Sequence, residues 1–105
     1  MKKEIFIIHS LKFKKEALNH ELTIGKPCYI PGRDTKQTNG EHILKQNLDG
    51  MIPCKEVHVI WDGQSMGTLF DMGMAYALGI PIKPISLIRN RSWVNFFEGK
   101  IKSTI

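Results

Sequence analysis

Asp71 is the one carboxylate in an otherwise apolar run, Leu69 to Leu78, and an isolated carboxylate in such company is costly unless it is paired or used. Two uses fit the residues around it. In the first, Asp71 is a reactive group at the mouth of a site. In the second, Thr68-Leu69-Phe70-Asp71 is a loose capping box with Asp in place of Glu or Gln, and Asp71 only satisfies free amides at a helix start. Ser65 and Thr68 carry the same ambiguity. Either can be an N-cap. Alternatively, the Ser65 hydroxyl and the free amides over 65–68 hold a phosphate or carboxylate, which the helix dipole favours. Gly67, Gly73 and Gly79 weaken a helix, so they point to a close approach by something else, whether a ligand or a packed sheet.

The elements that must position these groups follow from the apolar pattern. Glu4 to Ile8 suits a strand buried on both faces. His9 and Ser10 leave it, and Ser10 is placed to cap the next helix. Leu11, Ala17, Leu18 and Leu22 recur near helical spacing and predict a helix over Leu11–Leu22, ended by Ile24-Gly25. Cys28 to Ile30 reads as a second strand. The polar stretch Gly32 to Gly40, with Arg33 and Lys36, reads as a loop. A helix is predicted over Glu41–Met51, a third strand over Glu56–Trp61, a helix over Gly67–Leu78 and a fourth strand over Ile82–Leu87. Trp93, Val94, Phe96 and Phe97 suggest a short C-terminal helix and a subunit contact. Alternation of this kind implies a parallel sheet covered on both faces with right-handed crossovers. Ligands of such sheets bind beyond the carboxyl ends of the strands. That places His9, Ser10, Pro31 to Gly40, Asp62 to Gly67 and Ser86 around the expected site.

Composition bounds the function. The 105 residues make a single domain, 1–105, able to fold without metal or disulfide staples. Cys28 and Cys54 form no CxxC pair, which argues against zinc and for a reducing, cytoplasmic setting. No apolar run approaches a membrane span or a signal-peptide core. The charge of +5 comes from scattered lysines and arginines without interleaved aromatics, so nucleic-acid binding is not expected. The four histidines show no ligand spacing, and His58, in mid-strand, reads as a hydrogen-bonded core residue. No cofactor or metal is expected.

The block SMGTLFDMGMAYALGIPI resembles the signature of the nucleoside 2-deoxyribosyltransferase superfamily, G-T-x-x-E-x-G-x-A-x-A-x-x-x-P, through Gly67, Thr68, Gly73, Ala75, Ala77 and Pro81. Asp71 stands at the nucleophile position, where the family carries glutamate. Ser65, six residues earlier, resembles the phosphate-binding serine of the 2′-deoxynucleoside 5′-phosphate N-hydrolases. His9-Ser10 resembles their Gly-Ser turn, and Pro31-Gly32-Arg33-Asp34 a P-x-R-D loop of some relatives. The resemblance implies a flavodoxin-like or Rossmann-like three-layer sandwich with a parallel sheet of four to five strands. It implies cleavage or transfer of an N-glycosidic bond of a nucleoside, with a 5′-monophosphate favoured because Ser65 replaces an aspartate of the transferases. Asp71 would then be the nucleophile and Asp62 the second carboxylate. Ser10, Ser65 and Arg33 would hold the phosphate, with Gly67 and Thr68 lining the site. A homo-oligomer is implied, with Asn95 as the residue lent by a neighbouring subunit. Two other readings remain: a module of the same fold that binds or senses a nucleotide without cleaving it, and a partner-binding domain whose capping box mimics the motif.

Overall fold

The structure, a computed structural model, describes residues 2–61 and 63–87. Asp62, Asn95 and the apolar segment around Trp93 lie outside the described residues.

Ile5–Ile8 forms β1, and all four side chains are buried, as a central strand of β-branched and aromatic residues requires. A 3₁₀ turn over Leu11–Phe13 leads into α1, Lys14–Ile24. The predicted helix therefore starts three residues late. Leu11 and Leu22 are 58% and 78% exposed, so the inward face of α1 is Ala17 supported by Leu18 and Ile24. Gly25 ends α1 at φ 67°, donating its N–H to the Glu21 carbonyl in the left-handed conformation that suits glycine. Cys28–Tyr29 is β2.

The polar stretch after β2 is not wholly loop. Pro31–Asp34 forms a single helical turn, α2, with proline at its first position and Asp34 reaching back to accept the Ile30 N–H at 2.9 Å. Gly40–Met51 is α3, capped by Asn39, whose side-chain oxygen accepts the His42 N–H. Glu56–Trp61 is β3, Met66–Ala77 is α4 and Ile82–Leu87 is β4.

All four strands are parallel, in the order β2-β1-β3-β4. Alternation along β1 and β3 divides the core. Phe6, Ile8, Val57, Val59 and Trp61 meet Met51 of α3 with Met72 and Ala75 of α4 on one face. Ile5, Ile7 and Ile60 meet Ala17 of α1 on the other. The result is a three-layer α/β sandwich with the strand order of flavodoxin-like sheets. The chain winds from β1 outward to β2, then returns past β1 to β3 and β4. Its topological switch point thus lies between β1 and β3, and a crevice opens at their carboxyl ends. Among the described residues no helix is long and apolar enough to cross a membrane.

Candidate active site

The crevice is a pocket of about 360 Å³. His9, Ser10 and Leu11 enter it from the end of β1, and Pro31 and Gln37 from the segment after β2. Ile43, Leu44 and Asn47 contribute one face of α3, while Ser65, Gly67 and Asp71 come from the start of α4. Leu11, Pro31, Ile43 and Leu44 provide its apolar lining, and His9, Ser10, Gln37, Asn47, Ser65 and Asp71 its polar groups.

Asp71 is buried because of its place on α4. It shares the inward stripe of Thr68, Met72 and Ala75, and is only 4% exposed. The Asn47 amide nitrogen of α3 donates to both carboxylate oxygens, at 3.3 and 3.4 Å. Burial pushes the Asp71 carboxyl up from 3.8 to about 7, and the hydrogen bond from Asn47 pulls the other way without overcoming it. Near neutral pH this group is poised between acid and base.

The capping account of Asp71 does not survive the geometry. The N-cap of α4 is Ser65, whose Oγ accepts the Thr68 N–H at 3.2 Å. Asp71 is the sixth residue of the helix, a full turn beyond the amides that need capping. Thr68 is not the cap. Its hydroxyl is buried without a hydrogen-bond partner among the described residues, and it does not line the pocket.

Ser10 was expected to cap the following helix, but its side chain makes no capping bond, and its Oγ is buried at the pocket edge without a partner among the described residues. Such a hydroxyl costs roughly 1–3 kcal/mol until something bonds to it. Gly67 lines the same region, and a Cβ there would meet only Ser65 Oγ at 3.9 Å. Packing among the described residues does not demand glycine at 67. Ser10, Ser65 and Gly67, the last two at the start of α4, thus line the same pocket.

His9 ties the end of β1 to α2. Its Nε2 accepts the Gly32 N–H at 3.1 Å while Nδ1 donates to the Ser10 carbonyl at 2.8 Å, which fixes a neutral imidazole. Burial lowers its pKa accordingly. A Cβ on Gly32 would lie 2.8 Å from the His9 ring, so the close approach needs glycine.

Arg33 corrects an expectation. It does not line the pocket, and its guanidinium is occupied elsewhere. It pairs with both oxygens of Glu21 at 2.7 and 3.1 Å, with Asp34 at 3.0 Å, and with the Cys28 carbonyl at 2.7 Å. These bonds fasten α2 and β2 to the end of α1. In a single helical turn, Pro31 faces the crevice and Arg33 points away from it. Among the described residues the pocket lining holds no lysine or arginine, so an anion there would depend on hydroxyls and helix amides.

Asn47 is a site residue that no motif marks, although the sequence carries a signal for it. It interrupts the apolar stripe Ile43, Leu44, Leu48 and Met51 of α3 at a buried position. Gly73 faces outward, with nothing within 4 Å of the place a Cβ would take, so it does not serve helix–sheet packing. His58 is, as expected, a hydrogen-bonded core histidine, between His20 and Glu56 at 2.7 Å each. Cys28 and Cys54 are free and buried, their thiols pushed up to about 11 by burial. Comparison with known proteins returned no match among family models, curated sequences or solved structures.

Proposed function

We propose that this protein cleaves or transfers the N-glycosidic bond of a (deoxy)nucleoside, with a 5′-monophosphate as the preferred substrate and Asp71 as nucleophile. The observation that carries the reading is the placement of Asp71: a buried carboxylate, held by Asn47, opens onto the crevice at the switch point of a parallel sheet. Ionised Asp71 would attack C1′ as the base departs through an oxocarbenium-like state. Water or a second base would then release the glycosyl-enzyme, with retention. Ser10, Ser65 and the amide of Gly67 would bind the phosphate at the α4 terminus, where the dipole favours an anion. The apolar lining from Leu11, Ile43 and Leu44 suits a base or the flat face of a sugar. Asp62 and Asn95 keep the roles that the sequence resemblance implies. The decisive experiment is release of free base from nucleoside monophosphates by the wild type and not by Asp71→Asn.

A second reading, a nucleotide-binding module without catalysis, is favoured by one feature. Asp71 is a methylene shorter than the family glutamate, and a misplacement of about 1 Å can cost about 10²-fold in rate. Retained nucleotide affinity without base release would select it.

The implied self-association has a natural seat on α4. Met66 and Phe70 are 68% and 56% exposed beside Gly73, whose mid-helix penalty of about 1 kcal/mol no contact among the described residues offsets. A helix of a second copy crossing at Gly73 would use that space. Sedimentation of wild type against Gly73→Glu tests this, with a shift from dimer to monomer expected and a wild-type monomer overturning it.

A further inference from the structure

Asn47 sits at the end of a longer chain of hydrogen bonds. Its side-chain oxygen accepts from Thr35 Oγ1 at 2.6 Å, and Thr35 Oγ1 lies 2.6 Å from the Tyr29 hydroxyl. The direction of each bond follows from counting hydrogens. An amide oxygen can only accept, so the single hydroxyl hydrogen of Thr35 points at Asn47. The Tyr29 hydroxyl must then donate to Thr35. Its other neighbours, the carbonyls of Asp34 and Gln46, are each at 3.5 Å and compete poorly. With its oxygen held by Thr35, the Asn47 amide has one orientation, NH₂ toward Asp71. The flipped amide would set its oxygen against the Asp71 carboxylate, acceptor against acceptor, and would force the Thr35 hydrogen to turn from Asn47 toward Tyr29.

The outer end of the chain is rigid as well. The Tyr29 ring stacks on Phe6 of β1, with centroids 5.1 Å apart and planes within 9°. α3 also comes so near that a Cβ on Gly50 would lie 2.5 Å from the ring. Thr35 and Asn47 are 5% and 4% exposed, so water does not compete for these bonds.

We propose that Tyr29, Thr35 and Asn47 form a positioning relay, running from β2 to α3, that presents a fixed amide donor to the Asp71 carboxylate and so sets its orientation and its readiness to ionise. This rests on Asp71 being the functional group of the pocket. The donor bridges both oxygens, so rotation of the carboxylate about its last bond is resisted whichever oxygen reacts. It also favours the carboxylate when it must leave the glycosyl-enzyme. None of the three residues needs to touch substrate. The other titratable groups on the surrounding elements include His9 at the end of β1, Tyr29 itself, Asp34 in α2, Glu41, His42, Lys45 and Asp49 on α3, and Glu56 and His58 on β3. None of them bonds to Asp71 among the described residues, and Asn47 is the one polar contact through which the fold tunes it.

The test is a pH titration of the Asp71 carboxyl carbon by NMR, read beside the pH dependence of base release. Thr35→Val keeps the shape and removes the hydroxyl. It should raise the Asp71 midpoint, leaving about threefold to tenfold less carboxylate at a fixed pH below the midpoint. Thr35→Ser restores the hydroxyl and should return the midpoint to the wild-type value. Asn47→Leu should raise it at least as far as Thr35→Val. If Asn47→Leu does not fold, the Thr35 pair decides alone. A midpoint equal in wild type and Thr35→Val overturns the relay. If the midpoints move as expected but the wild type releases no base, the relay stands and the catalytic reading falls. Base release with unmoved midpoints is the reverse outcome.

Discussion

Replacing Asp71 with Asn should stabilise the protein while abolishing its function. Burial raises the Asp71 carboxyl from 3.8 to about 7, so the folded state disfavours the carboxylate relative to the unfolded chain. At about 1.4 kcal/mol for each tenfold change in proton affinity, the full effect is about 4 kcal/mol. Its sign follows from linkage. A carboxyl with a raised folded-state pKa binds more protons in the native state, so its contribution is fully present below pH 3.8 and is lost as pH rises through about 7. Asp71→Asn is nearly isosteric, can still accept from Asn47, and carries no charge at any pH. Above pH 7 it should therefore be more stable than the wild type, and near pH 4 the two should converge. Even half the full effect, about 2 kcal/mol, would raise Tm by roughly 8–16 °C in a domain of this size. Thermal unfolding of both proteins from pH 4 to 9 measures the difference directly. A capping residue behaves oppositely, since its loss destabilises by roughly 0.5–2 kcal/mol. A lower Tm for Asp71→Asn at pH 8 would refute the reasoning. The same titration requires base release to rise with pH through about 7, because only the carboxylate attacks.

The other predictions concern the rim of the pocket and its supports. Ser65→Ala should lose about 1 kcal/mol with its cap and also weaken nucleoside monophosphate binding, whereas Ser10→Ala should weaken that binding with no loss of stability, since its buried Oγ has no partner to lose among the described residues. Calorimetric titration with a monophosphate and its free nucleoside, beside urea denaturation, separates the two effects, and equal affinities in all three proteins would remove both serines from the phosphate site. Arg33→Met should lower stability by about 2 kcal/mol through the lost bonds to Glu21, Asp34 and the Cys28 carbonyl, leaving nucleotide affinity unchanged. A selective loss of monophosphate affinity would return Arg33 to the site. His9, held neutral with a lowered pKa, contributes stability that is present above pH 6.5 and lost as pH falls through its depressed folded-state value. Because Asp71 acts in the opposite sense over the same range, the comparison belongs in the Asp71→Asn background, where His9→Asn should flatten the fall in Tm between pH 7 and 5.

Much of this architecture was legible in the amino-acid pattern, and the misreadings have identifiable causes. β3 and β4 match their expected bounds because each is a short run with Val or Ile set off by a turn signal, Pro53 before one and Gly79 before the other. Leu11 and Leu22 misled because apolar residues at helical spacing need not be inward, and α1 has little sheet to cover beyond Ala17. Asp71 stood out because one carboxylate in an apolar helix is conspicuous. The difference between a capping acid and a site acid depended on a three-residue shift in the cap, which only geometry resolves. Arg33 was misplaced because a cation in a loop beside a pocket gives no sign of which way it points. Thr35 left no signal at all, since its partner Asn47 is twelve residues away in another element.

The central claim is that Asp71 breaks a glycosidic bond. Wild type and Asp71→Asn should be incubated at pH 8 with a panel of ribo- and deoxyribonucleoside 5′-monophosphates and the free nucleosides, and liberated base followed by chromatography. The account predicts base release by the wild type, faster from the monophosphates, and none from Asp71→Asn although it still binds them. Absence of free base with every substrate, or equal release by both proteins, would contradict it.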